Sequence, residues 1–118
     1  MKTIGLIGGM SWESTLEYYR IINHIVRDTV GGLHSARIAM HSFDFAELAT
    51  LQEEGDWEEI TKLMIGAALR LEEAGADLLV ICANTMHKIA GQIQKDVHVP
   101  LLHIADATAQ EIKTRGFK

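Results

Sequence analysis

The chain has a single cysteine among 118 residues, and it closes an apolar run. In "LLVICANTMH", residues 78–87, Cys82 follows four aliphatic residues and precedes Asn84, Thr85 and His87. A short apolar run that stops at polar residues has the pattern of a buried strand. The polar residues after it open a helix. A thiol between a strand end and a helix N-terminus meets unpaired N–H groups and the positive end of the helix dipole, which favour thiolate over thiol. Asn84 and Thr85 supply short polar side chains that can hold a small anionic ligand beside the sulfur. The competing reading makes Cys82 a small core residue, the usual place for a lone cysteine. The polar company argues for chemistry, because a core cysteine needs no Asn-Thr pair at the strand mouth. His87 can partner the thiol as in cysteine hydrolases, or cap the helix or face a substrate. Its spacing from Cys82 leaves these alternatives open.

A second candidate is "GLIGGMSWEST", residues 5–15. A glycine-rich turn between strand and helix can bring backbone N–H groups onto an anion such as a carboxylate. The alternative is a tight turn that simply requires glycine. No Gly-Lys-Ser/Thr follows, so it is not a P-loop, and Gly5, Gly8 and Gly9 miss the dinucleotide spacing. It also lacks the Ser/Thr-rich phosphate loop expected of an FMN site. Asp44 and Glu47 are possible general bases, though such residues more often cap and solvate a short helix. Gln52 can reach a cleft from the segment after the second strand, while Trp57 fits a core anchor. His24, His34, His41, His98 and His103 make no i,i+4 pair and none clusters with the cysteine, so no metal site is expected.

The elements that must position these residues alternate. Apolar runs at 3–7, 36–41, 78–81 and 101–104 have the pattern of strands. Helical spacing covers 14–28, 44–52, 57–74, 85–95 and 106–115, with Ser11 or Ser14, then Asp56, as N-caps and Gly75 as a C-terminal stop. On the first helix Leu16, Tyr19, Ile22 and Val26 define the expected apolar face. Tyr18 and Tyr19 are adjacent, so at most one faces the core. Short apolar strands alternating with amphipathic helices predict an α/β domain, a parallel sheet with helices on both faces and right-handed crossovers. Ligands then bind beyond the carboxyl ends of the strands.

Composition narrows the class. Hydrophobic residues make up 47% and charged residues 23%, ordinary for a globular domain. The net charge of -5 and scattered basic residues argue against nucleic acid as a partner. One cysteine excludes an intramolecular disulfide framework. The N-terminus lacks a full signal-peptide core and cleavage site, and no apolar run approaches the roughly 18 residues of a membrane span. A cytoplasmic enzyme or binding domain is the expectation.

Together, "IGLIGGMSWESTLEYY", "HSFDFAELATLQEEGDW" and "ADLLVICANTMHK" resemble the N-terminal half of aspartate/glutamate racemases. The resemblance covers essentially the whole chain. It implies a flavodoxin-like or Rossmann-like half of a two-domain, cofactor-independent amino-acid racemase, often a homodimer. Its two-base mechanism has one cysteine thiolate remove the Cα proton and a second cysteine thiol return one on the opposite face. By match to the motif, Cys82 is the first acid/base residue, Asn84 and Thr85 hold the substrate's carboxylate or amino group, Met10 and Ser11 line the pocket, and Gln52 is a substrate contact. The family's second cysteine lies in a Gly-Cys-Thr-Glu-like motif of the second half, which these 118 residues do not include. "TRGFK", residues 114–118, has the pattern of a turn into a further strand, so the chain is expected to be half of a longer protein and inactive alone. The alternatives are a cysteine-dependent maleate isomerase or decarboxylase of the same superfamily, or a non-catalytic small-molecule-binding domain with an inert Cys82.

Overall fold

Strands that are apolar on both faces need cover on both faces, and the two inner strands of this sheet, Thr3–Gly8 and Leu78–Ile81, have it. The computed structural model of the protein describes residues 1–82 and 87–102. Its elements are β1 (Thr3–Gly8), α1 (Trp12–Val30), β2 (Arg37–Ser42), α2 (Phe45–Glu54), α3 (Trp57–Glu73), β3 (Leu78–Ile81), α4 (His87–Asp96) and β4 (Leu101–Leu102). The four strands form one parallel sheet in the order β2-β1-β3-β4. This is the flavodoxin-like half expected from the sequence. The expected helix at 106–115, the end of the fourth strand and the first two residues of the expected fourth helix lie outside the described residues.

Side-chain alternation divides the core into two layers. Ile4 and Leu6 of β1, with Leu78 and Val80 of β3, pack against Tyr18 and Ile22 of α1. Ile7, Leu79 and Ile81 face the other way, onto Ile60, Met64, Ala67, Ala68 and Leu71 of α3, Leu48 of α2, and Ile89 and Ile93 of α4. Each fully buried aliphatic side chain here stabilises the fold by roughly 1.5–3 kcal/mol relative to exposure. No helix among the described residues is long and apolar enough to cross a membrane.

The caps follow the sequence. Ser11 caps α1, Asp44 accepts from the Ala46 N–H at 3.2 Å to cap α2, and Asp56 accepts from the Glu59 N–H at 3.2 Å to cap α3. Asp44 is therefore occupied as a cap, and Glu47 lies exposed in the same first turn. Trp57 is half-buried against the α3-side core, as an anchor should be.

The face of α1 differs from expectation. Its buried residues are Thr15, Tyr18, Ile22 and Val26, whereas Leu16 and Tyr19 stand 57% and 44% exposed. Both sets have helical spacing, so periodicity alone leaves the helix's rotation undetermined at this end. The sheet sets it. Gly8 leaves room for one side chain from α1, and Thr15 occupies it: a Cβ on Gly8 would lie 2.5 Å from the Thr15 methyl.

The turn after β1 is packed backbone to backbone. Gly9 has φ +88°, and a Cβ there would lie 2.2 Å from the Phe43 carbonyl oxygen and 2.4 Å from its nitrogen. The Phe43 N–H in turn donates to the Gly8 carbonyl at 2.9 Å. Gly9→Ala is expected to destabilise the chain by about 3 kcal/mol or more, because an unfavourable φ and a backbone clash add. Urea denaturation measures this, and a loss under about 1 kcal/mol would show that the turn relaxes freely.

Candidate active site at the carboxyl ends of the strands

The helix following β1 packs on one face of the sheet, and the helix following β3 packs on the other. Because β1 and β3 are neighbours, their carboxyl ends form the topological switch point, where the diverging connections open a crevice. Two of the predicted site segments meet there. The Cys82 N–H donates to the Ile7 carbonyl at 2.9 Å, extending the β1–β3 ladder by one residue and placing Cys82 beside Gly8. Gly8 is paired on its other side with Ser42 of β2. The mouth is thus a row of Ser42, Gly8 and Cys82, with the Gly9-Met10-Ser11 turn leaving from its middle.

Cys82 occupies the predicted position, but in a different electrostatic state. It is fully buried in the α1-side layer with Leu6, Tyr18 and Val80. Burial pushes its thiol up from 9.0 to about 12. The expectation of a favoured thiolate is corrected for the described chain: desolvation of the charged form dominates, so the group is a neutral thiol at pH 7.

Ser11 sits at the turn and is half-buried, with φ 119° and ψ 99°. It is the only residue other than glycine with positive φ among the described residues. Its Oγ accepts from the Ser14 N–H at 3.5 Å. Met10 is at the same turn, but its side chain is 6% exposed and packs in the α3-side core. Contact with a ligand at the mouth would therefore fall to its backbone. Gln52 is half-buried in α2, the helix that leaves the carboxyl end of β2. Asn84 and Thr85 lie outside the described residues, and His87 is the first residue of α4.

Two contributors were not read from the sequence. Phe43 locks the turn through its backbone, which no side-chain pattern reports. His41, at the end of β2, lies edge-on to Phe43 with ring centroids 4.7 Å apart. Burial first, and the Arg70 charge second, hold its imidazolium below the ordinary histidine range.

Fold and mouth together define a doubly wound α/β domain with a cysteine at its switch point. The chain belongs to the Asp/Glu/hydantoin racemase family, whose sequence profile matches residues 7–118. It is 55% identical to a candidate Asp/Glu racemase from Yersinia pestis, with a TM-score of 0.87, covering 98% of this chain and 50% of that one. An aspartate racemase homologue from Pyrococcus horikoshii OT3 gives 40% identity and a TM-score of 0.81 over the same shares. The broad-specificity amino-acid racemase RacX of Bacillus subtilis strain 168 is 39% identical over 57 residues, 48% of this chain and 25% of RacX. The chain thus spans half the length of the two structural relatives.

The raised thiol pKa carries a stability signature. Folding favours the protonated thiol, so Cys82's contribution is fully present below about pH 9 and is lost as pH rises toward about 12. Complete ionisation in the folded state would cost ~4 kcal/mol. Urea midpoints of the chain and of Cys82→Ala, measured from pH 8 to 11, are expected to converge as pH rises. Parallel curves would refute a buried neutral thiol.

Proposed function

We propose that this chain is the first half of a cofactor-independent amino-acid racemase acting on an acidic or other small amino acid. In this reading Cys82 is one of two acid/base cysteines. The observation that carries it is the placement of the only cysteine at the switch point, beside the Gly8-Gly9 turn, in a member of a racemase family. An amino-acid Cα–H is a very weak acid. Removing its proton requires fixed donors around the carboxylate and a site that excludes water. Ser11 and the turn, with Asn84, Thr85 and Gln52, supply the donors. One sulfur takes the Cα proton as a thiolate, charge moves into the carboxylate, and a thiol on the opposite face returns a proton to Cα. Burial favours the protonated thiol, the form in which Cys82 is the donor. To act as the base it must lose its proton, and the substrate's ammonium group and the N-terminus of α4 are the positive potentials that oppose the burial cost. The second cysteine comes from the other half of the longer protein, so the isolated chain is inactive.

The buried, protonated thiol also favours a second reading. A decarboxylase of the same superfamily needs only one proton-donating thiol. Substrate separates the two: the full-length protein is assayed with L-aspartate, L-glutamate and substituted malonates in D₂O, following Cα deuteration, optical rotation and CO₂ release. Racemisation with deuteration supports the first reading, and CO₂ release alone supports the second. Racemisation by the isolated 118-residue chain would sink the half-site proposal.

We further propose that the full-length protein is a cytoplasmic homodimer. Trp12, Leu16 and Tyr19 of α1 and Met40 of β2 are all exposed and line a shallow pocket of about 370 Å³ with Thr15 and Ser42. Contiguous apolar surface of this kind is what a partner covers. Light scattering is expected to give a dimer mass, reduced to the monomer by Leu16→Glu with Tyr19→Asp. A dimer that survives both changes would place its interface elsewhere.

A further inference from the structure

Thr15 is a buried polar residue, 4% exposed, on a helix face otherwise occupied by Tyr18, Ile22 and Val26. Apolar packing alone would be met by valine, which has the same shape. The hydroxyl is used instead to bridge the turn. Its Oγ1 accepts from the Gly9 N–H at 3.0 Å and donates to the Ser11 carbonyl at 3.3 Å. The same Ser11 carbonyl also takes the Thr15 backbone N–H at 3.2 Å. One side chain therefore ties both ends of Gly9-Met10-Ser11 to the first turn of α1.

That segment holds Ser11, the one residue other than glycine at positive φ among the described residues. Ser11 at φ 119° occupies a region that residues with a Cβ rarely adopt, and such a conformation persists only where its surroundings over-determine it. Here the surroundings are Thr15 on one side and the Phe43 backbone against Gly9 on the other. Thr15 also takes up the Gly9 N–H, so that donor is not available to a ligand. The N–H groups of Met10, Ser11, Trp12 and Glu13 have no protein acceptor among the described residues.

We infer that Thr15 is a positioning residue of the active site. Its hydroxyl holds Ser11 in the positive-φ conformation and thereby decides which groups of the turn face the substrate. It touches no substrate itself and acts through Gly9 and Ser11. The kinetic part of the inference rests on the racemase reading.

Two variants separate the hydroxyl from the packing. Thr15→Val keeps the shape and removes the bridge, while Thr15→Ser keeps the bridge and removes the methyl. In the isolated chain, amide hydrogen exchange at Gly9 is expected to speed up by about tenfold or more in Thr15→Val and to stay near wild type in Thr15→Ser. In the full-length protein, kept at a temperature where circular dichroism shows each variant folded, kcat/KM is expected to fall on the order of 10–100-fold in Thr15→Val. Thr15→Ser should restore it to within a few-fold, a rescue that a merely packing role would not give. A folded Thr15→Val with wild-type kcat/KM, or unchanged Gly9 exchange, would overturn the inference. A wild-type full-length protein that racemises nothing would overturn the racemase reading instead, and Gly9 exchange would still decide whether Thr15 holds the turn.

Discussion

The carboxyl end of β1 is bonded to both neighbouring strands and has no room for a side chain. The Ile7 carbonyl takes the Cys82 N–H from one side, and the Gly8 carbonyl takes the Phe43 N–H from the other. Above Gly8 sits Thr15, and against Gly9 lies the Phe43 backbone. These contacts are between backbones or short side chains, so they have little freedom to adjust. They fix where β2 ends, how α1 leaves the sheet and how far the cysteine projects. The mouth of the crevice is rigid because the central strand ends in two glycines that other groups have filled in.

The state of Cys82 follows from two opposing effects. A helix N-terminus favours an anion by typically 0.3–1 kcal/mol, and by about 2 kcal/mol in favourable partly buried geometries. Against it stands complete burial among aliphatic and aromatic side chains, strong enough to push the thiol up to about 12. A shift of that size corresponds to ~4 kcal/mol, so burial prevails. Burial of this depth keeps the thiol protonated at neutral pH.

The α1 helix divides its work by face. Tyr18, Ile22 and Val26 hold it to the sheet, Thr15 holds the turn that precedes it, and Trp12, Leu16 and Tyr19 are left outward. A one-residue change in which side chains face the sheet would bury Leu16 and Tyr19 but remove the hydroxyl from Gly9. Rotation of the helix and conformation of the turn are therefore one constraint.

The sequence by itself determined the order of the described elements, the parallel sheet with helices on both faces, the cap at Asp56, and the arrival of Cys82 at a strand end. Each of these is local: hydrophobic period, cap chemistry and glycine position act over a few residues. It did not determine which of two helically spaced sets on α1 is buried, because both satisfy the period and only the space above Gly8 distinguishes them. It misjudged the charge state of Cys82, since a helix start is visible in the sequence and the surrounding apolar layer is not. It gave no sign that Thr15, Phe43 and Ser11 share one turn, because Phe43 reaches Gly9 only after β2 pairs with β1. Tertiary structure decided these points because each depends on how segments pack on the assembled sheet, which a local pattern does not report.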